Sequence, residues 1–250
     1  MNVRVMVFPG AHNLPLWLMS DLEIRYTKSR DEQIAAVQGC EVDVIHTSPD
    51  NLLLPDATGL TPFLAGTVGP LHLVALQSLD SPGLSPKQIL AVDNARSGFG
   101  RLAYQWLRNH APDLRYEVIS VGGTPQRFEA LKTNQATMAV MHPPFTQFSQ
   151  AAGFNVLGRI DLGYPTLCGA CREDVRRTDG IETYMESYRT VLEQLASADG
   201  PLLAREAFGR NLKEVPEAVL NQIAEVMRRE IVAAGVPFDP DSFQKLKNLP

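Results

Sequence analysis

Short apolar runs closed by polar, proline- or glycine-bearing loops recur through the first two thirds of the chain, and longer amphipathic stretches fill the last third. Val3, Val5 and Val7 alternate with Arg4 and Met6, which predicts a strand that Pro9-Gly10 ends. Leu14 to Met19 reads as a short apolar helix, Leu22 to Thr27 as a second strand, and Asp31 to Gln38 as a helix that Gly39 terminates. Glu41 to Ile45 is the third predicted strand, and His46-Thr47-Ser48-Pro49-Asp50-Asn51 is the loop after it. Further strands are expected near Phe63-Leu64-Ala65 and over Leu71 to Leu76, Ile89 to Val92, Tyr116 to Val121, Ala136 to Met141 and Phe154 to Ile160. Helical spacing covers Gly100 to His110, a stretch ending near Ala152, Ile181 to Ala196, Leu202 to Phe208 and Pro216 to Ala234.

The segment Gly122 to Phe145 organises the rest. Thr124 is placed as a helix cap, Pro125 as the first helical residue, and His142-Pro143-Pro144 as the loop that stops the following strand, because proline lacks the ladder donor. The same grammar runs without gaps from Ser29 to Asn51: Ala36-Val37 matches Ala130-Leu131, Val42-Asp43-Val44 matches Ala136-Thr137-Met138, and Ser48-Pro49 matches His142-Pro143. A strand and a polar loop precede each copy. Two lobes of one design are therefore expected, the first from residues 1–77 and 165–250, the second from 78–164. The crossings between them fall at Ser78 to Lys87 and Tyr164 to Leu167. Everything after the return crossing reads as helical. Ligands of open α/β sheets gather outside the carboxyl ends of the strands, so the loops after four strands are expected to line a cleft.

Those loops carry the candidate chemistry. Asp93-Asn94-Ala95-Arg96-Ser97-Gly98 and Gly122-Gly123-Thr124 each lead into a helix, whose first N–H groups either accept an ordinary cap or hold a carboxylate, sulfonate or phosphate without any lysine. His12 and Asn13 follow the first strand. His46, beside Thr47, Ser48 and Asp50, is placed to orient a ligand or to act as a general acid or base. His12, His46 and His142 are formally enough for a catalytic zinc, but only long-range spacing relates them, so no metal and no cofactor is assigned. Arg127 either reaches a ligand or pairs with Glu129 or another carboxylate, and His72, inside an alternating strand, is structural. Neither a glycine-rich phosphate loop nor a Gly-x-Ser-x-Gly elbow is present, which leaves nucleotide hydrolysis and serine hydrolase chemistry without a motif.

Composition narrows the classes. A 44% hydrophobic share in 250 residues is enough for real cores, and a net charge of −5 with scattered lysines and arginines offers no basic stripe for nucleic acid. No window is long and apolar enough to span a bilayer, and Met1-Asn2-Val3-Arg4 enters a strand at once. A cytoplasmic location is the expectation for the chain as written, and a periplasmic one if a leader was removed. Three cysteines, Cys40, Cys168 and Cys171, argue against a disulfide framework; Cys168-Gly169-Ala170-Cys171 has the redox and metal spacing, but no second pair completes a zinc site, and its cysteines read as small, semi-buried strand residues.

Taken together, Val7-Phe8-Pro9-Gly10-Ala11-His12-Asn13, Val42 to Asn51, Gly122 to Arg127 and Pro143-Pro144-Phe145 resemble the NMT1/THI5-like group of periplasmic solute-binding proteins, the nitrate/sulfonate/taurine type. The likeness runs from about Val3 to Cys171. It implies a type II periplasmic-binding-protein fold: two α/β lobes, two hinge crossings, a helical C-terminal segment, a small organic ligand enclosed on closure, and an ABC permease as partner. Two features depart from the family. The first helix is short, and no leader is expected from the chain as written. The same fold also serves cytoplasmic enzymes, so the alternative is a lyase, decarboxylase or cofactor-precursor synthase in which His46, with His12, transfers protons.

Overall fold

The computed structural model describes residues 3–27, 29–82, 87–212, 215, 217–235, 237–241 and 244. Pro216, expected in the first turn of the last helix, lies outside them. The chain divides into two units, one holding the residues up to Val68 and from Gly163 to Lys247, the other Gly69 to Leu162. The first unit begins with β1 (Val3–Val7), α1 (Leu14–Leu18), β2 (Leu22–Tyr26), α2 (Arg30–Gln38), β3 (Val44–Thr47) and β4 (Leu60–Thr67). The second contains β5 (Leu71–Ala75), β6 (Gln88–Val92), α3 (Gly98–His110), β7 (Tyr116–Ser120), α4 (Thr124–Lys132), β8 (Met138–Met141), α5 (Phe145–Ala151) and β9 (Asn155–Ile160). The chain then returns to the first for β10 (Leu167–Arg172), α6 (Asp179–Ala196), α7 (Gly200–Asn211) and α8 (Glu217–Ala234).

Each unit is built on a five-stranded mixed sheet, in the orders β2-β1-β3-β10-β4 and β7-β6-β8-β5-β9. Three strands of each are parallel, and the fourth in the row, β10 or β5, runs antiparallel to both its neighbours. The duplication holds to the residue. An offset of 94 carries β2 onto β7, α2 onto α4 and β3 onto β8, while β1 maps onto β6 with an offset of 85. The nine-residue difference goes into α3, which is longer than α1. Local hydrogen bonds repeat as well: Asp43 N donates to the Arg4 carbonyl and Thr137 N to that of Ile89, Val42 N to Ala36 and Ala136 N to Ala130. Cys40 and Asn134, each just past the helix, both take a positive φ, of 62° and 56°, which lets the chain reverse into the strand.

The cores follow from which face each helix buries. Ile34, Ala36 and Val37 of α2 pack on Met6, Ile45, Cys168 and Ala170, and Ala130 and Leu131 of α4 pack on Val74, Ala91, Ala139 and Met141. At about 1.5–3 kcal/mol for each large aliphatic removed from water, these contacts hold helix to sheet. Cys168 and Cys171, expected to be semi-buried, are fully buried strand residues.

Three expectations need correction. The first crossing falls at Val68/Gly69 rather than in Ser78 to Lys87, of which residues 83–86 lie outside the described set, because β5 pairs with β8 and β9 and so belongs to the second sheet. The segment after the return crossing is not all helical: β10 enters the first sheet between β3 and β4. The third strand extends beyond Ile45, because His46 pairs with Val7 on one side and Gly169 on the other.

Candidate functional site

In the first lobe the side chains at the carboxyl ends of β1 and β3 are drawn inward. His46 is fully buried, and its Nε2 hydrogen-bonds the hydroxyl of Tyr184 on α6 at 2.7 Å. Gly169 makes room for the ring: a Cβ there would stand 3.3 Å from His46 Nε2. Tyr184 meets the imidazole edge-on and Tyr188 lies tilted against it, at ring distances of 6.2 and 6.0 Å. Burial, with a smaller push from His12, lowers the His46 pKa to about 3. This ring therefore stays uncharged throughout the neutral range.

His12 and Asn13 both tie the loop after β1 to one acceptor: His12 Nε2 and Asn13 Nδ2 donate to the Phe8 carbonyl at 3.0 and 2.8 Å. The His12 ring also packs over Gly10, where any Cβ would come within 2.6 Å of it. Burial lowers its pKa to about 4, against the opposing pull of the Phe8 bond. Behind the sheet, Gln33 of α2 donates to the Met6 carbonyl at 3.1 Å and to that of His46 at 2.9 Å. Thr47 accepts from Asn51 Nδ2 at 2.8 Å, and Ser48 donates to the Asp50 carboxylate, so the loop after β3 closes on its own polar groups. Asn13 Oδ1, Gln33 Oε1 and His46 Nδ1 are buried without a protein partner among the described residues.

In the second lobe, the loops after β6 and β7 are stitched together. Gly122 N donates to the Asp93 carbonyl at 3.3 Å and Ala95 N to Ser120 Oγ at 3.1 Å. Ser97 caps α3, accepting from Gly100 N at 3.0 Å while donating to Asp93 at 2.5 Å. Asn94 and Arg96 are exposed, and Ser97 and Gly98 half-buried. A chain of bonds then crosses the start of α4. His142 Nδ1 donates to the Pro143 carbonyl at 2.8 Å, its Nε2 meets the Thr124 hydroxyl at 2.7 Å, and Arg127 Nη2 donates to the same hydroxyl at 2.7 Å.

Thr124 is therefore not the cap the sequence implied: the helix starts at Thr124, the cap position is Gly123, and no side chain accepts from the first turn. Nor does Arg127 pair with Glu129. Buried to 2% exposure, its remaining nitrogens donate to the Val140 carbonyl at 2.7 Å and to that of Gly122 at 2.9 Å. His72 does serve a packing role, with Nδ1 3.2 Å from the Thr146 hydroxyl.

Within the first lobe the fold gathers His12, Asn13 and His46; within the second it gathers Gly123, Thr124, Arg127 and His142, with the Asn94 to Gly98 loop alongside. Tyr184 and Gln33 are site neighbours that the sequence did not single out. Tyr184 lies 138 positions from the histidine it holds, whereas Gln33 sits at the position of Arg127 in the repeat and was visible there. Among the described residues no group of three histidine, cysteine or acidic side chains is arranged to hold a metal ion, and no helix is long and apolar enough to cross a membrane.

Paired five-stranded sheets, each with its antiparallel fourth strand, followed by C-terminal helices, define the two-lobed type II periplasmic-binding-protein fold. No protein-family model and no curated protein matches the chain. Solved structures do. The ligand-binding component of an ABC-type import system from Staphylococcus aureus, crystallised with zinc, superposes with a TM-score of 0.71 at 12% identity, over 99% of this chain and 98% of that one. The periplasmic aliphatic sulphonate binding protein SsuA of Escherichia coli gives 0.65 at 14% identity, over 99% and 85%. The CA3427 gene product of Candida albicans, which has the generic periplasmic binding protein fold, gives 0.63 at 11%, over 99% and 95%.

Proposed function

We propose that this protein is a solute-binding protein of the ABC-transporter type, which closes on a small organic ligand that is anionic or heterocyclic. The observation that carries the reading is the start of α4, left without a side-chain cap beside Thr124, Arg127 and His142. Free N–H groups at a helix start bear partial positive charge and receive a carboxylate, sulfonate or phosphate oxygen. Likeness of fold to an import-system component and to a sulphonate binder supports the class of function. An ABC permease is the partner this reading implies.

The competing enzyme reading, with His46 and His12 as proton carriers, has less support: Nε2 of His46 is engaged by Tyr184, and burial lowers its pKa to about 3, so it carries no imidazolium proton at neutral pH and is a weak base.

A melting-temperature screen over small carboxylates, sulfonates and pyrimidines tests the proposal. A true ligand at about 100 times its Kd stabilises by about 2.7 kcal/mol, a shift of several degrees, and flat curves across the panel reject the proposal. Cell fractionation separates the periplasmic site of action that delivery to a permease requires from the cytoplasmic alternative.

A further inference from the structure

The repeat sets Gln33 and Arg127 at one and the same position, three residues into α2 and α4. Both do one structural task. Gln33 Nε2 donates to the carbonyl of His46, and Arg127 Nε donates to the carbonyl of Val140, the residue equivalent to His46. A neutral amide is therefore sufficient to tie this helix to this strand, and the positive charge of Arg127 is surplus to the fold.

That charge also has no carboxylate in direct contact. Its three hydrogen-bond acceptors, on Val140, Gly122 and Thr124, are all uncharged. Among the described residues no carboxylate comes within ion-pair distance of it. Asp93, whose carboxylate accepts from Ser97, keeps its charge and offsets the guanidinium from beyond ion-pair distance. A buried cation offset only at a distance is costly unless something else draws on its charge.

The helix above it differs in the matching way. Ser29 caps α2 by accepting from Glu32 N at 3.3 Å, but its equivalent, Gly123, has no side chain to offer α4. Open amides and a guanidinium without a direct ion pair thus meet at one helix end in the second lobe, and neither occurs at the same place in the first.

We propose that Arg127 is the charge-selecting residue of the second lobe, favouring a singly or doubly charged oxyanion at the start of α4 over a neutral group of the same shape. It acts by its field rather than by contact, since the Thr124 hydroxyl accepts from Arg127 and donates its own proton to His142 Nε2. The inference rests on the ligand-binding reading above.

The test compares methanesulfonate with its neutral isostere dimethyl sulfone, by calorimetry and thermal shift on the full chain. Wild type is expected to prefer the anion by about tenfold or more, the worth of a charge-assisted contact. Arg127→Gln, which copies the first lobe, is expected to fold and to lose most of that preference, while Arg127→Lys retains it. A wild-type protein indifferent to charge defeats the anion reading itself. A wild type that discriminates, with an Arg127→Gln variant that discriminates equally, overturns this inference alone. Failure of Arg127→Gln to fold overturns it too, since the fold would then need the cation. Asp93→Asn gives an independent reading with Arg127 intact: removing the opposing field should tighten methanesulfonate binding about twofold or more, and unchanged affinity counts against the proposal.

Discussion

The two lobes share a frame and differ in what they bury. At the third position of the central strand the first lobe holds His46, turned toward Tyr184, where the second holds Val140. At the fourth position of the preceding helix the first has neutral Gln33 and the second charged Arg127. The first lobe keeps its polar groups uncharged, since burial holds both His12 and His46 far below the usual histidine range. The second keeps a cation at the same depth. Identical backbone geometry thus separates what the fold requires, a donor under the strand carbonyl, from what only one lobe has acquired, a charge.

The largest test of that separation is truncation at the paired position. Arg127→Ala removes three hydrogen bonds and opens a cavity, and should cost the second lobe about 3–5 kcal/mol. Gln33→Ala removes two and should cost the first about 1–3 kcal/mol. The two tryptophans fall one to each lobe, Trp17 in α1 and Trp106 in α3. Urea unfolding followed in Trp17→Phe and Trp106→Phe backgrounds therefore reads each lobe by itself, and equal losses in both would refute the distinction.

Acid should separate the lobes next. His12 and His46 have folded pKa values of about 4 and about 3, below the ordinary 6.5, so the unfolded chain takes up protons first. Stability is then fully present above pH 6.5 and falls as the pH drops toward 4, by about 1.4 kcal/mol per pH unit for each histidine. His46→Gln should remove about half of that slope, measured by the Trp17 signal between pH 6 and 4.5. An unchanged slope would mean that His46 is not the buried neutral group described.

Most of the frame was legible because it is local. Apolar period, Gly39 and the Pro143-Pro144 stop set α2, β3, α4 and β8 to within a few residues, and the ungapped match exposed the repeat. What failed was non-local. Cys168-Gly169-Ala170-Cys171 is short of β-branched residues, and only pairing with His46 and Leu64, more than a hundred positions earlier, makes it a strand. Missing that strand also misplaced β5, its counterpart in the other sheet. His46 read as a loop residue because the apolar run stops at Ile45, while the tyrosine that encloses it lies in a helix far downstream. The burial of Arg127 carried no local mark, yet its alignment with Gln33 did, since a glutamine and an arginine at one repeat position cannot both owe their place to charge.

A smaller effect is expected where the first lobe spends its hydrogen-bond donors. Tyr184→Phe deletes the partner of His46 Nε2 with little change of shape, and should destabilise the first lobe by about 1 kcal/mol, more if the nitrogen finds no other partner. No change in the second lobe's Trp106 transition should accompany it.

The smallest change is the most pointed, because it moves one lobe's solution into the other. Gly123 has φ −62° and ψ 173°, a conformation open to any residue, and a Cβ there would meet the flexible end of Gln126 at 3.0 Å and Pro125 Cδ at an ordinary 3.6 Å. Gly123→Ser should therefore supply α4 with the cap that Ser29 gives α2, for roughly a few tenths of a kcal/mol of stability. The same hydroxyl oxygen would occupy the amides offered to an anion and place a lone pair in front of them. Stability and affinity should thus move in opposite directions, with the melting temperature slightly up and methanesulfonate binding down. A variant that gains stability and binds as well as wild type would show that the open helix start is not where the anion sits, and would leave Arg127 buried for a reason outside ligand binding.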